Sequence, residues 1–83
     1  MEKTLTLAEI QEKLAAHYRG IFDRWFFLME EAKAAHLDGD EDTFRAISRR
    51  AEKLSDNMDG IKTAVGVLGI DLADFLGAVN ADR

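Results

Sequence analysis

His17 and His36 are the residues with the most scope for metal chemistry, with Glu12, Glu30, Glu31 and Glu52 available beside them. Di-metal sites in helical bundles use a Glu from each of two helices and a Glu-x-x-His pair from each of two others. The positions three before the histidines are Leu14 and Lys33, so neither His belongs to such a pair. His36 is better read as a side chain in the last turn of a helix, where the dipole favours a cation. The run Asp38-Gly39-Asp40-Glu41-Asp42 has the acidity of a calcium loop. An EF-hand needs Gly at its sixth position and Glu at its twelfth. Counted from Asp38, those positions hold Thr43 and Arg49, so the run reads instead as a turn followed by a capped helix. No metal or other cofactor is expected.

Catalysis by a nucleophile has little to draw on. The chain has no Cys. Ser48 and Ser55 lack the strand-to-helix context of a nucleophile elbow. Gly66-Val67-Leu68-Gly69 is not followed by the Lys and Ser/Thr of a phosphate loop. Two helices bring many carboxylates near one another, and nothing singles out one pair as acid and base. The chain is expected to be non-enzymatic.

Two groups of residues are suited to binding. Arg45, Arg49 and Lys53 recur every four positions, a stripe that can grip phosphates by charge-assisted hydrogen bonds. Against a nucleic-acid role stands the net charge of -5, from 11 Lys+Arg and 16 Asp+Glu. A body of that sign is repelled by a phosphate backbone. Glu41, Asp42 and Glu52 also lie beside the stripe, so a solvated face is the simpler reading. The second group is Phe22, Trp25, Phe26 and Phe27, with Arg24 among them. Aromatic rings and Arg are the usual anchors of protein interfaces. On a helical wheel Phe22 and Trp25 share the main apolar face, while Phe26 and Phe27 stand about 100° and 200° round from Trp25.

The elements that must position these residues are helices. Thr6-Leu7-Ala8-Glu9 is a capping box, with Leu5 and Ile10 placed for a hydrophobic staple. Leu7, Ile10, Leu14, Tyr18, Ile21, Trp25, Leu28, Met29 and Ala32 follow helical spacing, so one helix is expected over about 7–37. It runs through Gly20 at a cost of about 1 kcal/mol relative to Ala. The competing reading breaks it there. Gly39 suits a left-handed helix stop, and Asp40 can cap the next helix.

A second helix is expected over about 41–68. Its stripe of Phe44, Ile47, Ala51, Leu54, Met58, Ile61, Val65 and Leu68 alternates steps of three and four, a heptad seam for another long helix. Glu41 and Arg45 stand in the favourable i,i+4 order. Gly60 and Gly66 weaken this helix locally. Gly69-Ile70-Asp71 reads as a stop with a new cap, giving a short helix over about 72–81. Leu72, Phe75 and Val79 also continue the heptad phase, which would suit an unbroken helix. Ala73, Gly77 and Ala81 make a smooth face for close approach by a neighbour.

The chain of 83 residues has room for one domain, and 47% hydrophobic with 33% charged residues is a globular composition. With no Pro, long helices are unbroken by that residue. No apolar run spans a bilayer, Met1-Glu2-Lys3 does not open a signal peptide, and a cytoplasmic setting is expected. The expected fold is all-α: a long antiparallel helical hairpin plus a short C-terminal helix, dimerising into a helical bundle. A hairpin is two layers thick, so the short helix or a second molecule is expected to cover Phe26 and Phe27, the simpler alternative being that one of the rings is exposed. The function this favours is a small protein–protein interaction module, a regulator, inhibitor or adaptor that presents helix faces to a protein partner. The alternatives are a nucleic-acid-binding dimer using the basic stripe and an acidic nucleic-acid mimic that blocks a nucleic-acid-binding protein.

Overall fold

The computed structural model describes residues 4–81. It is all-α, with α1 at Leu7–Leu37, α2 at Glu41–Val67 and α3 at Leu72–Asn80, and no strand among the described residues. No helix among those residues is long and apolar enough to cross a membrane. The signal-peptide expectation rests on Met1 to Lys3, which lie outside the described residues.

Local chemistry explains where each helix starts and stops. At the start of α1 the Glu9 N–H donates to the Thr6 hydroxyl at 3.1 Å, and the Thr6 N–H donates back to the Glu9 carboxylate at 3.3 Å. Both turns are closed by the same device. Gly39 and Gly69 adopt φ of 77° and 78°. After α1, Asp40 N–H reaches Ala35 C=O at 2.9 Å and Gly39 N–H reaches His36 C=O at 3.1 Å. After α2, Ile70 N–H reaches Val65 C=O and Gly69 N–H reaches Gly66 C=O, both at 3.1 Å. This paired pattern is a Schellman motif, and it needs a residue free of the Cβ clash at the glycine position. An Asp then starts the next helix in each case: Asp40 accepts from Thr43 N–H and Asp71 from Asp74 N–H, each at 3.2 Å.

The break at Gly69 excludes the unbroken-helix reading of the C-terminal segment. α2 ends at Val67 and α3 at Asn80, each one residue before its expected bound, with Leu68 and Ala81 as the C-caps. α1 runs through Gly20 unbroken, and a Cβ added there would meet nothing within 4 Å. Gly77 likewise has nothing within 4 Å of an added Cβ, so no neighbouring backbone uses the small face of α3 for close approach. The Glu41–Arg45 pair does not form among the described residues. Glu41 lies 3.3 Å from His36 across the turn, and Arg45 lies 3.8 Å from Asp42.

The core has two parts. Near the α1 start, Ala15, Tyr18 and Ile21 meet Met58 and Val65, and α3 adds Phe75 and Val79. The Phe75 ring meets the Tyr18 ring edge-on at 5.6 Å. Near the turn between α1 and α2, Leu28 and Ala32 meet Ile47 and Ala51, with no residue of α3. Trp25 and Leu54 pack against both parts. Helices of 31 and 27 residues are about 46 and 40 Å long, while the nine residues of α3 span about 13 Å. The third layer therefore ends partway along a molecule 56 Å in its longest dimension. Arg19 of α1 ties α3 in place: its Nε donates to Val79 C=O at 2.7 Å and its Nη2 to Ala78 C=O at 3.1 Å. Those bonds satisfy carbonyls that a helix end leaves without intrahelical partners.

Two stability tests follow from this packing. Phe75 is 0% exposed, so Phe75→Ala is expected to destabilise the fold by about 3–5 kcal/mol, whereas Gly20→Ala, with open space around it, should stabilise it by up to about 1 kcal/mol. Urea unfolding followed by circular dichroism reads both. The second test concerns the α2 cap. The Thr43 hydroxyl and then the Thr43 N–H hold the Asp40 carboxyl below its ordinary value of 3.8. A carboxyl whose pKa falls on folding contributes in full above that ordinary value and loses its contribution as pH drops through the lowered one. Thr43 amide exchange should therefore speed up on acidification below pH 3.8 more in the wild type than in Asp40→Asn, which caps without titrating.

Candidate protein-binding groove

α3 covers neither Phe26 nor Phe27, which are 53% and 63% exposed. The sequence leaves α3 or a second molecule to cover them, or one ring exposed; in the structure both rings are exposed. The two rings also face different ways. Phe22 stands beside Leu76 and Val79, on the α3 side of α1. Phe26 is one turn further along that side, where it is exposed. Arg24 lies about 160° round the helix from Phe22, on the opposite side, and Phe27 flanks it. Phe26 and Phe27 therefore belong to two separate surfaces.

The Phe27 side is a groove between α1 and α2. One part of it, about 380 Å³, is lined by Arg24, Phe27, Leu28 and Glu31 from α1 and by Arg50, Lys53 and Leu54 from α2. A second hollow of about 480 Å³ adjoins it and shares Arg24 and Leu54. It runs past His17 and Ile21 to Leu14 on α1, and past Asn57, Gly60 and Ile61 to Ala64 on α2. From Leu14 to Glu31 the trough is about 25 Å long at 1.5 Å per residue. Leu28 and Leu54 sit in it because they belong to the stripes that hold the two helices together. Arg24 and Arg50 each lie four positions before one of those leucines, so they stand one turn along the same side.

The electrostatics of this place differ from those of the whole chain. Three cations and one carboxylate line the part around Leu28 and Leu54, against a net charge of -5 overall. Arg24, Arg50 and Lys53 have no hydrogen-bond or ion-pair partner among the described residues. Long cationic side chains lying over apolar floor bury their stems and leave their heads in water.

The structure separates the basic stripe. Arg45 and Arg49 project to the back of α2, away from α1, and both are exposed. Lys53 reaches the groove, where it joins Arg50 and Arg24 instead. Of the aromatic group, Phe22 and Trp25 are partly buried and stack at 5.7 Å, while Phe26 and Phe27 remain outside. Reading Arg45, Arg49 and Lys53 at fixed spacing along one helix passes over Arg50. Its signal is its angle, about 40° from Leu54 on the seam. Arg24 was visible beside the aromatics, but its meeting with Arg50 is a contact between helices.

His17 lines the second hollow, and the His36 ring lies tilted against Phe44, centroids 5.2 Å apart, beside Glu41. No three His, Asp or Glu side chains among the described residues come together as a metal site requires. Compared with protein-family models, with curated proteins and with solved structures, the chain matches none. Fold and site therefore define it by class alone: an elongated three-helix protein with an uncovered end and a cation-lined apolar groove.

The exposure of Phe27 makes it a clean probe. Phe27→Asp is expected to change folding stability by no more than about 0.5 kcal/mol. Leu28→Asp, which puts a carboxylate among Ala32, Ile47 and Ala51, should unfold the chain or cost several-fold more. Thermal melts of the two variants check the contrast.

Proposed function

We propose that the chain is a small non-enzymatic interaction module that presents the uncovered end of its hairpin to a protein partner. The single observation behind this reading is the pair of exposed rings, Phe26 and Phe27, on the end that α3 does not reach. Large rings left in water over a two-layer core lose hydrophobic stabilisation that a partner restores. Arg24 beside them adds the residue type that, with aromatics, dominates interface energetics.

The two surfaces suit different occupants. The Phe26 side, with Phe22, Trp25 and Met29 near it, is uncharged at these positions. A two-fold pairing of this face sets rings against rings, with Asp23 and Glu30 at its margin, and it extends the layer that α3 begins. This supports a homodimer through the Phe26 side. The Phe27 groove carries cations, which pairing with itself would oppose, so it is left for a foreign protein. The module would then act as a regulator, inhibitor or adaptor by holding that protein on its groove.

Affinity capture with the full chain as bait, repeated with Phe26→Asp and Phe27→Asp, tests both assignments. The captured partner is expected to weaken by about 30-fold with Phe27→Asp, the size of an interface hot spot. Identical capture by wild type and Phe27→Asp would remove the reading. Light scattering should give a dimer for the wild type and Phe27→Asp, and a monomer for Phe26→Asp. A wild-type monomer would dismiss the dimer.

A further inference from the structure

We infer that the groove seats an acidic amphipathic helix of the partner, with an apolar side chain on Leu28 and Leu54 and carboxylates on Arg24, Arg50 and Lys53. The inference rests on the interaction-module reading and gives that reading a partner chemistry.

Charge argues first. An acidic chain has gathered Arg24, Arg50 and Lys53 around one apolar floor with Glu31 as the only carboxylate in the lining. The three cations have no intrachain partner among the described residues. Complementary charge brought by a partner relieves their mutual repulsion and sets register and orientation. Arg presents a planar fork that fits a carboxylate with two parallel bonds. On a helix, Asp or Glu three or four positions either side of an apolar residue shares its face. That spacing places carboxylates around the anchor as the cations surround Leu28 and Leu54.

Shape argues for a helix. The trough lies between two antiparallel helices and is about 25 Å long, the length of about 17 helical residues. The hairpin already accepts one helix on its other side, where α3 inserts Phe75 and Val79 into the core. A helix in the trough gives the hairpin a layer on both sides. Gly60 in the trough wall has nothing within 4 Å of an added Cβ.

A second copy is the poorer occupant. Two-fold apposition of the groove on itself would set Arg24, Arg50 and Lys53 against the same residues of the other molecule. The repulsion acts across a partly desolvated contact, where screening is weak.

The test uses a labelled helical peptide of about 17 residues, with Leu on one stripe and Glu at the flanking positions. The control peptide has Lys in place of every Glu. Each is titrated into the full chain at low and high salt and followed by fluorescence anisotropy. The acidic peptide is expected to bind saturably, about tenfold or more tightly than the control, and to weaken with salt. The double variant Arg50→Glu, Lys53→Glu should reverse the preference while circular dichroism shows unchanged helix content. Phe27→Asp should weaken the acidic peptide. The inference is overturned by no saturable binding, by equal binding of the two peptides, or by a charge reversal without effect. Light scattering that finds a dimer dissociated by Phe27→Asp would place a second copy in the groove and also overturn it. A partner captured through Phe27 yet indifferent to the double reversal would sink the acidic helix and leave the interaction module standing. Failure of that broader reading is seen separately, as capture that does not depend on Phe27.

Discussion

The seam between α1 and α2 governs the rest of the structure. Each helix has one apolar stripe, and burying the two against each other removes from water most of what either can hide. Ile21 and Leu28 on α1, and Ile47, Met58 and Val65 on α2, are buried along it. A seam between two rods has open flanks by geometry, because each helix contacts its neighbour over only part of its circumference. What lies on the flanks then decides what the molecule can do. At one end α3 closes a flank, and Phe75 becomes fully buried. At the other end nothing among the described residues closes either flank, and the rings of Phe26 and Phe27 are exposed.

Arg19 belongs to the same logic. α3 is nine residues long, too short to form on its own in water. Its stability comes from the apolar contacts of Phe75 and Val79 and from the two carbonyls that the Arg19 guanidinium satisfies. The Gly69 turn directs α3 back over the α1 start, and its length sets where cover stops. The contrast between the two ends thus follows from the span of α3, Leu72–Asn80, as much as from hydrophobic pattern. The same contrast separates the surfaces: Phe22 is sheltered beside Leu76, while Phe26, one turn on, is not.

The groove shows how a local charge can oppose the average. Net charge describes how the whole body meets a phosphate backbone or a membrane surface, and here it is negative. A partner seated on Leu28 and Leu54 meets a different field, set within a Debye length by Arg24, Arg50, Lys53 and Glu31. Cations that cluster over an apolar floor give a direction to binding that greasy contact alone lacks. In this the groove differs from the Phe26 side, whose rings Phe22, Trp25 and Phe26 carry no charge.

The sequence by itself determined the helices and their punctuation. The capping box at Thr6, the left-handed glycines at 39 and 69 and the Asp caps at 40 and 71 act over three to five residues, so local spacing is enough to read them. The seam was legible for the same reason: a period of three and four reports which residues share a helix face. The continuity of α1 through Gly20 and the stop of α2 at Val67 were read less sharply, because a single glycine shifts the balance by about 1 kcal/mol and neighbouring turns decide the sign. Only the tertiary structure decided that α3 leaves Phe26 and Phe27 uncovered, and that Lys53 parts from Arg45 and Arg49 to join Arg50 and Arg24. Those are relations between helices, set by crossing geometry and by how far the last helix reaches, and no spacing along one strand of sequence encodes them.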